Sequence, residues 1–296
     1  LDDFVHYDQI KWSRDLKLYL KRRRYAEFAE DKVRIALYRP FTKRSLFLDR
    51  VLNEEVYQLP QIFATSECRN LVLVTSDIAY RAPTSSALVT DVILDLHLCA
   101  AVDGHQCFPF YTYSPDGSDR RENITDEALD QFRRHYGNPA ITKWNIFHYI
   151  YAILHHPGYR ETFAENLKRE LPRIPFALDF AAFAKAGREL SRLHVEYEQL
   201  EPWPLEFVES PSVPLTYKVI DKMRLNRDKT VLVVNPSLTL SGIPPETYEY
   251  RLGNRSALEW VIDQYRLTEE PRSGIRSDPN REDDPEYIVR LVGQVI

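Results

Sequence analysis

The sequence is poor in cysteine, glycine and methionine, and it contains no long apolar run. Its three cysteines, Cys68, Cys99 and Cys107, are too few and too unevenly spaced for a disulfide framework, and none forms a C-x-x-C pair for zinc. No stretch approaches the roughly 18 apolar residues of a membrane-spanning helix, and no charged-then-apolar leader stands at the start. We therefore expect reduced thiols and a cytoplasmic location. Because the only methionine is Met223 and the first residue is Leu1, we also expect the chain to belong to a longer protein.

The short motifs that mark catalysis or cofactor binding are also missing. Neither G-x-G-x-x-G nor G-x-x-x-x-G-K-[ST] occurs, and there is no G-x-S-x-G or H-E-x-x-H. The stretch VVNPSL at 233–238 approaches the Asn-Pro-x-aromatic motif of amino-methyltransferases, but Leu238 stands where the base-stacking aromatic is needed. We interpret Asn235-Pro236 as a turn between two strands. We predict no catalytic residue, cofactor site or metal site in this chain.

The periodicity predicts an α+β fold in which a helical block is inserted between two β-rich parts. Residues 34–122 and 204–296 contain short strand-like runs, whereas 123–203 has helical spacing, with Thr125 and Thr142 as N-caps. Residues 1–33 are interpreted as a basic helical connector, and 34–296 as the domain itself. A helix capped by Ser256 and a short one around DPEYIVRLV close the last β-rich part. The predicted strands are VRIALYRPF, SLFLD, LPQIFAT, NLVLVTS, SALVTDVILDLHL, CFPFYTY, LEFVE, LTYKVID, TVLVVN and SLTLSGIP.

Three of the eight histidines fall within HYIYAILHHPGY, residues 148–159. His148 and His155 share a helix face at about 100° per residue, but no third ligand accompanies them at metal-binding spacing. Apolar residues surround them, so the pattern favours a buried helix. His155 and His156 then lie in its last turn, where imidazoles can bind free carbonyl groups. A histidine-based metal-dependent hydrolase is the alternative that this stretch leaves open.

The net charge of −5 hides a polarised distribution of charged residues. Residues 11–50 carry 13 Lys or Arg against 5 Asp or Glu, and residues 215–230, interpreted as a strand and its turn, carry 5 against 2. Lys and Arg hold DNA phosphates, Arg also reads guanine edges, and Asn reads adenine. With no catalytic motif in the chain, this distribution favours recognition of double-stranded DNA. The candidate DNA-binding residues are Arg22, Arg23, Arg24, Arg39, Lys43, Arg44, Lys218, Lys222, Arg224, Asn226 and Arg227.

Several long, ordered motifs resemble the C-terminal part of Type ISP restriction-modification enzymes, and the resemblance covers nearly the entire chain. The last of them also resembles the recognition domains of single-chain Type II restriction-methylation enzymes. The motifs are IKWSRDL, YRPFTKRSLFLD, FPFYTY, ITKWNIFHYIYAILHHPGYRETFAENLKRELPRIPF and YEYRLGNRSALEWVIDQYRLTEEPRSGIRSDPN.

The resemblance implies that residues 34–296 are a specificity module, a β-rich target-recognition domain with an inserted helical block, that reads an asymmetric DNA sequence. It would direct an adenine methyltransferase and a helicase-like motor with its nuclease, all on the same polypeptide. S-adenosylmethionine, ATP and Mg²⁺ would bind elsewhere in that parent enzyme, so this part alone should neither methylate nor cut DNA. A module that docks the neighbouring domains without reading bases remains a further alternative.

Overall fold

The computed structural model describes residues 12–54, 56–76, 86–99, 104–271 and 273–296, and within them the chain has the predicted mixed α+β architecture. Thr125, Thr142 and Ser256 each accept a backbone hydrogen bond at a helix N-terminus, as predicted. The helices are α1 (Arg14–Lys21), α2 (Leu59–Ile62), α3 (Asp126–Tyr136), α4 (Lys143–His155), α5 (Pro157–Thr162), α6 (Ala164–Leu167), α7 (Phe180–Val195), α8 (Ala257–Gln264) and α9 (Tyr287–Gln294).

The strands form several small sheets rather than one large one. The orders are β2-β1-β5, β4-β3-β6, β7-β8, β10-β11-β12-β9, β13-β14 and β15-β16, all antiparallel except the β1–β5 pair. The strands are β1 (Val33–Arg39), β2 (Thr42–Phe47), β3 (Val72–Ser76), β4 (Ala87–Thr90), β5 (Ile93–Leu94), β6 (His105–Pro109), β7 (Tyr111–Thr112), β8 (Arg121–Glu122), β9 (Glu206–Glu209), β10 (Arg224–Leu225), β11 (Val231–Asn235), β12 (Leu238–Ser241), β13 (Arg251–Leu252), β14 (Arg255–Ser256), β15 (Thr268–Glu269) and β16 (Arg276–Ser277).

Three of the predicted elements were wrong. The run LPQIFAT forms the short helix α2, with Pro60 in its first turn, where a missing N–H costs nothing. The run LTYKVID forms no strand: the side chain of Asn235 donates to the carbonyls of Thr216 and Lys218, and Asn280 bonds both backbone groups of Val219. Side chains therefore replace a neighbouring strand as partners of this backbone. Of the predicted helical connector over 1–33, residues 1–11 lie outside the described residues, and the described part is helical only in α1 and in one 3-10 turn, Glu30–Lys32.

The sheet β4-β3-β6 lies between two hydrophobic cores. Successive side chains of a strand point to opposite faces. Accordingly, Val72 and Val74 of β3 pack into the β-rich core, whereas Leu73 packs against the helical block. Leu88 and Val89 of β4 divide in the same way. Burial on both faces explains why this part of the sequence is a continuous apolar run rather than an alternating one.

Helices α4 and α7 of the helical block pack closely along HYIYAILHH. A Cβ atom added at Gly187 of α7 would lie 1.8 Å from the backbone carbonyl oxygen of His148 in α4, so only glycine allows this separation. The buried positions of α7 are Phe180, Ala184, Gly187 and Ser191. These positions recur at steps of three and four, so they lie along one face of the helix.

Candidate nucleic-acid interface

Two of the predicted DNA-binding residues at the β1–β2 end are paired with carboxylates. The Nη1 of Arg39 donates to Asp95 Oδ1 at 2.7 Å, and its guanidinium lies over the ring of Tyr38. The Nζ of Lys43 donates to Glu198 Oε2, also at 2.7 Å. Both side chains are largely buried, with 17% of Arg39 and 22% of Lys43 exposed. Their charges are thus balanced within the chain.

The partner of Lys43 belongs to a polar network that joins distant elements. Tyr287 at the start of α9 donates to Glu198 at 2.7 Å, and the Tyr287 hydroxyl lies 3.3 Å from that of Tyr265 after α8. Burial alone would raise the pKa of Glu198, but hydrogen bonds from Lys43 and Tyr287 outweigh it and lower that pKa. Lys43 consequently stabilises the carboxylate that holds this network.

Arg44 points toward a different part of the chain. Its Nη1 donates to Ser277 Oγ in β16 at 3.1 Å, and its guanidinium lies 5.6 Å from the centroid of the Tyr38 ring. Its Nε is buried without a hydrogen-bond partner among the described residues. A groove of about 830 Å³ opens beside it, with Asp91 and Arg281 in its walls. Arg44 therefore links the β1–β2 hairpin to the root of the β15–β16 pair.

The second predicted cluster lies against α8. Lys222 contacts Asp263 at 2.7 Å, while Lys229 contacts Glu259 at 2.8 Å. Desolvation would raise the pKa values of Glu259 and Asp263, but the hydrogen bonds from these lysines outweigh it and lower them. The acids of α8 are thus neutralised, and further basic residues of this region add positive charge at the surface.

Those further residues are Lys218, Arg224 and Arg227, which are exposed. In the part of the chain that the structure describes, none of the three has a carboxylate partner. Asn226, by contrast, uses its side chain within the β10–β11 turn: its oxygen accepts from the backbone of Thr230 and Val231. The side-chain amide of Asn226 is therefore hydrogen-bonded within the turn.

Arg44 of the first cluster and the chain next to Lys218 of the second contact the two ends of one short segment, residues 277–280. About 170 residues separate the two clusters in the sequence. Ser277 at one end of the segment contacts Arg44, and Asn280 at the other holds both backbone groups of Val219, next to Lys218. The backbone N–H of Leu267, which precedes β15, donates to the carbonyl of Ile220 at 3.2 Å. The sequence gives no sign of this proximity.

Arg22, Arg23 and Arg24 lie elsewhere. They follow α1 and are exposed, and Arg23 ends the helix with a φ of 54°. The chain beyond them meets β2 at its far end, where Phe28 stacks on Phe47. That end is about 17 Å along the strand from Thr42, at roughly 3.3 Å per residue. The described contacts of these three arginines are local: their backbone N–H groups bond to carbonyls of α1, and Arg24 lies over the ring of Tyr19.

The histidines lie on the predicted shared face of α4, against α7. His148 Nδ1 is 3.3 Å from Ser191 Oγ, and the rings of His155 and His194 are 5.7 Å apart. His155 Nδ1 also lies 2.9 Å from the carbonyl oxygen of Tyr151, one helical turn earlier. Burial lowers the pKa of both His148 and His155 to about 4. Within the described ranges, no group of three or more His, Cys, Asp or Glu could hold a metal ion.

The β15–β16 pair was missed, although its sequence was part of a matched motif. It forms a two-stranded ribbon in which Thr268 faces Ser277 and Glu269 faces Arg276. Gly274 provides the left-handed turn with a φ of 66°. The available signal was the sequence PRSG, which is rich in turn-forming residue types, between two short, polar runs. Because neither run is apolar, the criteria for strands do not detect them.

Together these features define a class of protein: an α+β fold that exposes basic residues on either side of a projecting ribbon. The chain matches the family model of the Type ISP C-terminal specificity domain over residues 5–291, and it belongs to that family. No individually curated protein sequence matches it significantly. None of the helices in the described ranges is long and apolar enough to cross a bilayer.

Three solved structures are similar over nearly the whole chain. One is the cryoEM structure of a DrdV–DNA complex, 34% identical, with a TM-score of 0.88, covering 99% of this chain and 30% of that one. A nuclease-deletion mutant of the Type ISP enzyme LlaGI with a DNA substrate mimic is 32% identical, with a TM-score of 0.83, covering 99% and 22%. The ATP-dependent Type ISP enzyme LlaBIII bound to DNA is 29% identical, with a TM-score of 0.85, covering 97% and 19%. The chain thus spans less than a third of each of these proteins.

Proposed function

We propose that this chain recognises a specific sequence in double-stranded DNA and directs catalytic domains of the same polypeptide to it. The observation that carries the proposal is the convergence of the Arg44 and Lys218 regions on either side of segment 277–280. A basic surface assembled from distant parts of an acidic chain is what phosphate binding requires. The DNA complexes of three similar proteins support the same reading.

The exposed residues of the second cluster are the best phosphate contacts in this proposal. Lys218, Arg224 and Arg227 have no carboxylate partner among the described residues, so they can meet a phosphate without first breaking an ion pair. Arg39 and Lys43 would have to leave Asp95 and Glu198, both at 2.7 Å. We therefore assign these two to positioning the surface. Their direct contact with DNA stays a prediction, as does that of Arg22, Arg23, Arg24, Arg44, Lys222 and Asn226.

The test combines Lys218→Ala, Arg224→Ala and Arg227→Ala in the complete polypeptide. Since each phosphate contact contributes about 0.9 to the slope of log K against log salt, the triple variant should lower that slope by about 2 to 3. Affinity should fall to a similar degree on all DNA sequences, because phosphates carry no sequence information. The measurement is fluorescence anisotropy with a labelled duplex at several salt concentrations.

The control is Arg134→Ala with Lys185→Ala, which removes two exposed cations of the helical block. The salt slope of this control should match that of the unchanged protein. If the triple variant keeps the original slope and affinity, the chain does not hold DNA through this surface. Normal assembly of the polypeptide without any duplex retained from a randomised pool would favour the docking module instead.

We further propose that residues 34–296 form the recognition domain and that residues 1–33 connect it to a methyltransferase domain. Such a parent enzyme would use S-adenosylmethionine, ATP and Mg²⁺ in its other domains, as the description of LlaBIII as ATP-dependent supports for ATP. A cytoplasmic location fits the three free thiols of Cys68, Cys99 and Cys107, two of which have pKa values raised by burial.

A further inference from the structure

The β15–β16 ribbon projects from the surface between the two basic clusters. Its described residues from 266 to 276 are exposed, apart from the half-buried Ser273. Ile275 near the turn is 63% exposed, although an isoleucine is usually buried in a folded core. The side chain of Arg276 is 80% exposed. Neither strand pairs with any other strand of the described chain.

The ribbon is firmly held at its root and closed at its tip. Arg44 bonds Ser277, and Leu267 bonds Ile220, so both strands are tied to the body of the protein. At the other end, Glu270 donates to the carbonyl of Ile275 at 2.9 Å, and Gly274 donates to that of Glu270 at 2.9 Å. Ile275 and Arg276 are thus presented on strands that are hydrogen-bonded to each other and to the body of the protein.

We propose that this ribbon enters the major groove of the bound DNA and that Ile275 and Arg276 read base edges there. This inference rests on the proposed function. The major groove is about 12 Å wide and 8.5 Å deep and admits a two-stranded ribbon. Ile275 lies two residues beyond the anchored Ser277, about 7 Å at ~3.3 Å per residue, and its side chain and that of Arg276 extend this reach toward the groove floor.

The chemistry of Ile275 and Arg276 suits base edges better than phosphates. Arg276 can donate two hydrogen bonds to guanine, and Ile275 can pack on the methyl group of thymine. Arg276 now pairs with Glu269 at 2.9 Å, but both side chains are more than half exposed, so this pair costs little to break. The flanking cations, Arg44 and Lys218, would hold the DNA backbone while Ile275 and Arg276 read the sequence.

The experiment is selection of binding sites from a randomised duplex pool by the complete polypeptide, followed by sequencing. It compares the unchanged protein with Ile275→Ala and Arg276→Ala. Each variant should lose preference at one or two adjacent base pairs by about tenfold or more, as the loss of a bidentate or methyl contact implies. Binding to a duplex without the site should change less than about twofold, because in this proposal Ile275 and Arg276 contact bases and not phosphates.

The matched controls are Val208→Ala on the edge strand β9 and Arg121→Ala on β8. Val208 is exposed, and Arg121 is an exposed arginine in an ion pair, like Ile275 and Arg276. Both controls should return the unchanged consensus, and thermal melting should show that all four variants fold.

The outcomes separate the ribbon from the function as a whole. A consensus for the unchanged protein that both ribbon variants reproduce would overturn the ribbon's role and leave DNA recognition standing. A uniform loss of affinity with an unchanged consensus would likewise assign the ribbon to backbone or protein contacts. If the unchanged protein selects no sequence at all, both the proposed function and this inference fail.

Discussion

Gly187 shows at the scale of one residue why α4 and α7 can pack so closely. Replacing a helical glycine by alanine usually stabilises a helix by about 0.5–1 kcal/mol. Here the new methyl group would lie 1.8 Å from the carbonyl oxygen of His148, a distance that requires the helices to separate. We expect Gly187→Ala to reduce the free energy of unfolding by about 2 kcal/mol or more, as overpacking does.

Urea denaturation followed by circular dichroism would measure this change. Lys185→Ala, an exposed substitution on the same helix, should alter the free energy of unfolding by less than about 0.5 kcal/mol. A Gly187→Ala variant that is as stable as the original chain would mean that the helices are not in this contact.

The sequence predicts residue roles well where chemistry is local. Thr125, Thr142 and Ser256 were predicted as N-caps because a side-chain oxygen directly ahead of a helix can accept from a free backbone N–H of the first turn, and all three do so. Asn235 was predicted to lie in a turn and does so, but its bonds to the carbonyls of Thr216 and Lys218 come from a segment 17 to 19 residues away. Such partners follow only from the tertiary fold.

The junction of α4 and α7 with the β-rich part contains two buried imidazoles. His155 and His194 face each other and also contact the ring of Tyr250, with Tyr151 hydrogen-bonded to His194. Burial lowers the pKa of His155 to about 4 and that of His194 to about 3, and the two rings further disfavour each other's charge. Arg160 and the buried thiol of Cys99 also lie near this cluster and offer no compensating negative charge at neutral pH.

We expect acid to weaken this junction. Because the folded pKa values lie below the unfolded value of about 6.5, the unfolded chain binds protons first as the pH falls. Stability should be complete above pH ~6.5 and decrease below it by up to about 1.4 kcal/mol per pH unit for each histidine, until the pH reaches the folded pKa near 4.

The measurement is the free energy of unfolding in urea between pH 7 and pH 5. His155→Gln with His194→Gln should flatten this dependence even if it lowers stability at pH 7. The exposed His135→Gln should leave the slope as it was. An unchanged slope in the double variant would show that other groups control the acid sensitivity.

At the scale of whole elements, strong periodicity was a reliable guide and short apolar runs were not. Helix α4 was predicted from its sequence because its apolar residues recur over thirteen positions. LPQIFAT and LTYKVID are too short to distinguish a strand from a helical turn or an extended segment. The β15–β16 ribbon was not predicted from the sequence, because its exposed polar strands show no hydrophobic pattern.

For the molecule as a whole, charge counting located two basic regions but could not tell which cations remain available. Arg39 and Lys43 contributed to the local excess, yet each is balanced by a carboxylate far along the chain. Lys218 contributed equally and remains exposed. The distribution of charge is a property of the sequence, whereas the pairing of those charges depends on contacts more than 50 residues apart.

The placement of β3 between two cores predicts how the molecule unfolds. Since Val72 and Val74 pack into one core and Leu73 into the other, loss of either core exposes one face of the same strand. Trp144 stacks on Phe110 in the helical core, and Trp260 is buried in the β-rich core. A variant with Trp12→Phe and Trp203→Phe would make these two residues the only tryptophans.

In this background, replacing Trp260 leaves Trp144 to report on the helical core, and replacing Trp144 leaves Trp260 to report on the β-rich core. At pH 7 we expect coincident urea transitions by Trp144 and Trp260 fluorescence, as a two-state protein requires. At pH 5, where charging of His155 and His194 opposes burial at the junction, the Trp144 transition should move to lower urea than that of Trp260. Separate midpoints already at pH 7 would show instead that the shared strand does not couple the two cores, and the helical block would then be an independently folding unit.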